Sequence, residues 1–261
     1  MSSQKESTSR TIITALVMCL VCSVFVAGAA IALRPVQTEN RLVDKQRSIL
    51  MIAGLADASV SSAEVKKIFA ERIEARIVDL DAGKFVDDKF DVQSFDALVA
   101  AKDPQLSKAL TSQEDIASIK RRENYSTVYL VKTGEQLDTI VIPVRGYGLW
   151  STMYGFMALK GDLKTVAGFG FYQQGETPGL GGEVDNPKWK AQWVGKTVYD
   201  ANNAVALKVV KGGIDPAKAQ TQVDGLAGAT LTSNGVGHLV DFWLGENAFG
   251  KFIKNLRAGE A

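Results

Sequence analysis

The sequence predicts an α+β fold: a single N-terminal transmembrane helix, then a mainly antiparallel sheet with helices packed on it. Three observations carry this expectation. An apolar run without a charge extends from Thr11 to Leu33. Two successive pairs of β-branched and aromatic stretches follow after residue 120, each pair split by a short glycine-containing turn. Close to the C-terminus, Leu231 to Leu244 has the spacing of a half-buried helix.

The apolar run holds about 23 residues, which at 1.5 Å each reach roughly 34 Å, enough for a hydrocarbon core of about 30 Å. Arg10 and Arg34 bracket it. A cleaved secretory signal is the competing reading, with Lys5 and Arg10 as its basic front and Ala27-Gly28-Ala29 as a small-residue cleavage site. The anchor is preferred because the run outlasts a signal core and continues through Ile31 and Leu33. Fewer basic residues precede it (Lys5, Arg10) than follow it (Arg34, Arg41, Lys45, Arg47), a count that leans towards a cytoplasmic C-terminal region.

Val36 to Leu55 mixes apolar and charged residues as a helix leading out of the membrane would. Ser61-Ser62-Ala63-Glu64 has the serine and third-following glutamate of a capping box, so a second helix is expected there. Tyr125–Val131 and Leu137–Val144 read as strands around Thr133-Gly134-Glu135. Met153–Leu159 and Leu163–Tyr172 repeat the arrangement around Lys160-Gly161-Asp162, and Val205–Val210 offers another strand. In the last helix Leu239, Val240, Trp243 and Leu244 form the expected buried side. The expected division is a tail at 1–10, the transmembrane helix at 11–33, a helical connector and accessory region at 34–122, and the sheet domain at 123–261.

Composition removes several functions. Thirty Lys+Arg against twenty-nine Asp+Glu, without a basic run, leave little with which to hold nucleic acid. Both cysteines, Cys19 and Cys22, lie in the apolar run and there is one histidine, His238, so zinc, haem and iron–sulfur sites lack their usual ligands and no metal is expected. Redox chemistry would need an organic cofactor.

Three segments could carry such chemistry. Asp224-Gly225-Leu226-Ala227-Gly228-Ala229-Thr230-Leu231-Thr232-Ser233 feeds a helix with hydroxyls at its entrance, where unpaired N–H groups and the dipole favour a phosphate. On local pattern alone Thr230 or Thr232 reads as a helix cap. Gly175-Glu176-Thr177-Pro178-Gly179-Leu180-Gly181-Gly182-Glu183 is a turn-rich loop after a strand. Arg145-Gly146-Tyr147-Gly148-Leu149-Trp150-Ser151 sets two aromatics in a glycine turn, suited to stacking on a flat cofactor or to ordinary core packing. His238, without an identifiable carboxylate partner, reads as a structural residue.

The Asp224-to-Thr230 string resembles the flavinylation motif of FMN-binding domains modified by a dedicated flavin transferase. The Glu176-to-Gly181 string is similar to the loop that closes over the flavin ring in the same family. Together with the anchor and the glycine-aromatic turn, the resemblance covers nearly the whole chain. It is nearest to the C subunits of Na+-translocating NADH:quinone reductases and next to the G subunits of Rnf electron-transport complexes, with Val60–Arg122 favouring the former. The resemblance implies FMN joined by a phosphoester to Thr230, with Asp224, Gly225, Ala227, Gly228 and Ala229 as the motif. It implies cofactor contacts from Gly146, Tyr147, Trp150, Glu176, Thr177, Gly179, Leu180, Gly181, Thr232 and Ser233. It further implies an electron-transfer subunit, not catalytic alone, in a bacterial inner-membrane complex carrying electrons from NADH to ubiquinone with Na+ export. Its partners would be the other membrane subunits, the transferase during maturation and the lipid bilayer, with the FMN domain periplasmic, against the charge count. A cofactor-free, membrane-tethered binding or assembly module is the alternative of a different class. The chain has no dinucleotide fingerprint after a strand and no ionisable group in its membrane segment, so alone it is expected neither to bind NADH nor to move Na+.

Overall fold

The computed structural model describes residues 7–86 and 88–261. Helix α1 runs Thr8–Ile52, so the predicted anchor and connector helices are one continuous element that passes through Pro35. An 18-residue window of it reaches a mean hydropathy of 2.7, and among the described residues it is the one helix long and apolar enough to cross a membrane. The chain divides into two compact units, one ending at Asp44 and the other spanning Lys45–Ala261.

In the second unit α2 (Ser62–Arg72) opens where the capping box predicts, with Ser61 Oγ accepting the Glu64 N–H at 3.3 Å. There follow β1 (Ile73–Asp79), β2 (Lys84–Phe85), α3 (Ala97–Ala100), β3 (Ser107–Ala109) and β4 (Arg121–Glu123). The long strands come next: β5 (Tyr125–Thr133), β6 (Gln136–Tyr147), β7 (Thr152–Lys160) and β8 (Val166–Gln173). After a 3₁₀ turn at Gly181–Asp185 come α4 (Pro187–Ala191), β9 (Lys208–Val210), β10 (Gln222–Asp224), α5 (Thr230–Leu244) and α6 (Gly250–Ala258).

The main sheet has the order β2-β1-β5-β6-β7-β8, every neighbour antiparallel. β1 and β2 were not anticipated as strands; residues assigned to the accessory region thus complete the sheet. β8 starts at Val166 rather than Leu163, because the Asp162 carboxylate accepts the Lys164 and Thr165 N–H groups and Leu163 takes φ 57° in the resulting turn.

Both faces of the sheet are covered. On one lie α5 and α6, with Leu239, Val240, Trp243 and Phe252 against Val128, Ile140, Ile142 and Met157. On the other, Ile49 and Ile52 from the end of α1 and Phe69 from α2 meet Tyr129, Val141 and Phe156. This is why β5 is buried continuously from Ser126 to Val131 instead of in alternation. At Gly168 a side chain would stand 2.3 Å from the Ile52 carbonyl oxygen, so the last turn of α1 rests directly on the backbone of β8.

A buried ion pair ties the sheet to the site that follows. Arg145 near the end of β6 binds Glu123 of β4 through both terminal nitrogens, at 2.9 and 2.6 Å, and donates also to the Arg121 carbonyl. Its own carbonyl accepts Trp243 Nε1 of α5 at 2.6 Å, and its guanidinium lies 5.0 Å from the Trp243 ring centre. The strand end that leads into the Gly146–Ser151 turn is thereby fixed to α5. Arg145→Met, which leaves Glu123 unpaired, should destabilise the protein by about 3–5 kcal/mol in urea unfolding followed by tryptophan emission. A loss below about 1 kcal/mol would show the pair to be dispensable.

Candidate functional site

The parallel pair β9–β10 delivers the chain to the entrance of α5. Asp224 is held as part of that frame: its N–H donates to Gln192 Oε1, its carbonyl accepts Trp189 Nε1 and its carboxylate accepts the Gly213 N–H. The Gly225 N–H donates to the Val210 carbonyl at 2.7 Å. Gly228 then turns the chain with φ +74°, a conformation that side chains resist, and α5 begins at Thr230.

The residue preceding α5 is Ala229, which offers no side-chain cap. Among the described residues the N–H groups of Thr230, Leu231 and Thr232 find no acceptor, so three unpaired donors gather at the positive end of a 15-residue helix. Neither Thr230 nor Thr232 is the helix cap that local pattern suggests. The hydroxyls of this turn divide sharply. Thr232 is buried and donates to Glu176 Oε2 at 2.7 Å, and Ser233 Oγ accepts the Leu226 N–H at 2.9 Å. Thr230 is exposed, and among the described residues its hydroxyl has no partner.

Glu176 lies across from α5 on the loop after β8. Its residue is 5% exposed, and its carboxylate accepts the N–H groups of Leu149, Trp150 and Ser151 at 3.0–3.2 Å besides the Thr232 hydroxyl. Burial pushes the carboxyl up, but the hydrogen bonds from Thr232, Trp150, Leu149 and Ser151 together outweigh it and hold Glu176 below the ordinary glutamate range. A side chain at Gly181 would stand 2.5 Å from Thr232 Oγ1 and 2.8 Å from Glu176 Oε2, and one at Gly235 would stand 2.4 Å from the Tyr147 carbonyl oxygen. The loop, the aromatic turn and α5 thus meet at backbone distance.

Around this junction Tyr147, Leu149, Trp150, Leu180 and Leu231 present their side chains to solvent, Trp150 with 66% of its surface exposed. Trp150 is therefore not a core residue. Tyr147 Oη donates to the Trp150 carbonyl at 3.2 Å, and Leu180 lies against Gly228. Beside Thr230 opens a cleft of about 500 Å³ whose walls include Lys211, Gly212, Asp224, Gly225 and Gly228. A flat, apolar ring system carrying a phosphate fits these features: exposed indole and leucine surface for the ring, and three free N–H groups with a lysine nearby for the anion.

Of the sequence-predicted contacts, Tyr147, Trp150, Thr177, Gly179 and Leu180 are exposed at the junction, with Thr177 accepting the Leu180 and Gly182 N–H groups. Gly146 and Gly181 are buried beneath it, Gly146 against Leu239, where they allow close packing instead of touching a ligand. Glu176 and Thr232 are turned inward with their polar atoms engaged by the protein, while Ser233 is nearly buried, accepts the Leu226 N–H through Oγ and borders the cleft beside Thr230. His238, expected to be structurally satisfied, is exposed on α5 and makes no hydrogen bond among the described residues. Leu149 and Leu231 were missed; the glycine at 235 within α5 was the sequence signal for the close approach.

Comparison with known proteins agrees with this geometry. The FMN-binding domain family matches residues 148–245, which contain Gly148–Ser151 of the aromatic turn, the Glu176 loop and the entrance of α5. The C subunit of the Na+-translocating NADH-quinone reductase of Pseudomonas aeruginosa is 66% identical over 259 residues, covering 98% of this chain and 99% of its own. The chain belongs to the C-subunit family of these reductases. The C subunit of Yersinia pestis is 49% identical, with 97% of this chain and 95% of its own covered. The crystal structure of NqrC from Shewanella oneidensis superposes with a TM-score of 0.75 at 35% identity, over 85% of this chain and 99% of that one. Full-length agreement with C subunits favours that family over the Rnf G subunits.

Because the folded pKa of Glu176 lies below its unfolded value, the protein gains stability from this group above the ordinary value of 4.5, and loses it as pH falls through the lowered value. Unfolding midpoints measured from about pH 6 down to about pH 3 should therefore fall more steeply for the wild type than for Glu176→Gln. Parallel curves would mean that the carboxylate contributes nothing as an anion.

Proposed function

We propose that this chain is a covalent-FMN electron carrier, a station between NADH and ubiquinone in a membrane complex whose electron flow drives Na+ export. The observation that carries the covalent reading is the hydroxyl inventory at α5: Thr232 is buried and donates to Glu176 and Ser233 is buried and accepts the Leu226 N–H, while Thr230 is exposed and unpartnered among the described residues beside three unpaired N–H groups. In attachment, Thr230 Oγ1 would lose its proton and bond to the FMN phosphorus as the pyrophosphate bond of FAD breaks and AMP leaves, catalysed by a flavin transferase. The resulting diester keeps one negative charge, which the N-terminal end of α5 and Lys211 favour.

When bound, FMN supplies one- and two-electron chemistry at its ring system, which the side chains of this protein lack. The chain's own residues tether, orient and shield. Trp150 and Leu180 offer apolar surface to the ring, Tyr147 steadies the Trp150 turn through its hydroxyl, and Thr177 and Gly179 shape the facing loop. Asp224 holds the frame from which the motif projects. Other members of the complex deliver and receive the electrons. Helix α1 supplies the single-pass anchor in the inner-membrane bilayer, and the FMN domain is placed on the periplasmic side. The family resemblance supports that side; the opposing lysine and arginine count is weak for a domain of this length, since long domains translocate largely regardless of charge.

In cells containing the transferase, Thr230→Ala should leave a denatured gel band without flavin fluorescence, while Ser233→Ala keeps it. Mass spectrometry of the Asp224–Ser233 peptide should place the added FMN on residue 230; an adduct on Thr232 or Ser233 would refute the assignment. Protease added to spheroplasts should digest the C-terminal domain and protease added to inverted vesicles should not, the reverse pattern placing the domain in the cytoplasm.

A further inference from the structure

We infer that Glu176 is a positioning residue for the flavin: it holds the Trp150 indole against the ring without touching the ring itself. This deepens the reading of the site just given and rests on it. Glu176 was expected to offer a polar contact, but its carboxylate has no free face. Oε1 accepts the N–H groups of Leu149, Trp150 and Ser151, and Oε2 accepts Leu149 N–H and the Thr232 hydroxyl. Donors from a turn 25 to 27 residues upstream and a helix 56 residues downstream therefore converge on one buried group.

The mechanical consequence lies at Trp150. Its side chain is 66% exposed, and no packed core holds it in place. What fixes it is its backbone: the Trp150 N–H on Glu176, its carbonyl on Tyr147 Oη, and the neighbouring Ser151, whose Oγ accepts the Gly175 N–H at 2.7 Å. Through the same carboxylate this turn is fastened to Thr232, two residues beyond the proposed attachment point, so ring wall and tether are held as one piece. Gly148 and Gly181 approach the carboxylate so closely that a side chain at either would stand 2.6 Å and 2.8 Å from its oxygens. The clasp therefore works by reach, and a neutral acceptor of the same length should serve. A glutamine can keep Oε1 for the three turn donors and turn its amide towards the Thr232 hydroxyl.

The test uses full-length protein purified from cells containing the transferase, comparing native flavin emission with emission after denaturation. An indole stacked on a flavin quenches it, so Trp150→Leu should raise the native-to-denatured ratio. Glu176→Asp keeps the charge and loses the reach, and should raise the ratio to the Trp150→Leu level. Glu176→Gln loses the charge and keeps the reach, and should stay at the wild-type ratio. Glu176→Ala should match Glu176→Asp; if it does not accumulate, the Asp and Gln variants decide the question between them. An Asp variant at the wild-type ratio, or a Gln variant as bright as Trp150→Leu, would overturn the inference. A wild-type band without covalent flavin, or a Trp150→Leu variant no brighter than wild type, would instead remove the parent reading and this inference with it.

Discussion

A carboxylate taken out of water has to be met by donors or give up its charge, and the arrangement around Glu176 follows from that requirement. The donors it collects are mostly backbone N–H groups, which cannot be supplied without bringing their chain segments close. The glycines at 148, 181 and 235 are the counterpart, removing side chains where three segments crowd together. One electrostatic demand thus shapes the loop after β8, the aromatic turn after β6 and the first turn of α5.

That junction is only as firm as the layers under it. Trp243 on α5 donates to the Arg145 carbonyl, and Arg145 is paired with Glu123, so the strand that ends in the aromatic turn is locked to the helix that begins at Thr230. Helices cover one sheet face, and the end of α1 with α2 covers the other. A sheet buried on both sides has little freedom to bend, which suits a platform for a cofactor whose position has to be reproducible.

Much of the fold was legible because its strongest signals are local. Tyr125–Val144 and Met153–Leu159 are dense in β-branched and aromatic residues, and Leu239, Val240, Trp243 and Leu244 mark the buried side of α5 without help from the rest of the chain. β1 was missed although Ile73-Glu74-Ala75-Arg76-Ile77 alternates as a strand does, because it follows α2 at Arg72 with no turn residue to mark the change of period, and β2 is two residues long. The candidate site was legible as a set of segments through family resemblance, whereas its internal wiring was not. Nothing near Glu176 in sequence announces that its partners lie at 149–151 and 232, and an indole at position 150 suits a core as well as a surface until its exposure is known. The same limit applied to Thr230, whose distinction from Thr232 depends on a hydrogen bond 56 residues long in sequence.

The division among those hydroxyls bears on how faithfully the chain could be modified. An enzyme that meets the folded entrance of α5 finds one exposed hydroxyl, since Thr232 and Ser233 are buried and hydrogen-bonded to Glu176 and to the Leu226 N–H. On an unfolded chain all three would be equivalent competitors within four residues. Accuracy in choosing the acceptor then resides partly in the substrate's own architecture, and maturation has a natural order in which folding precedes attachment.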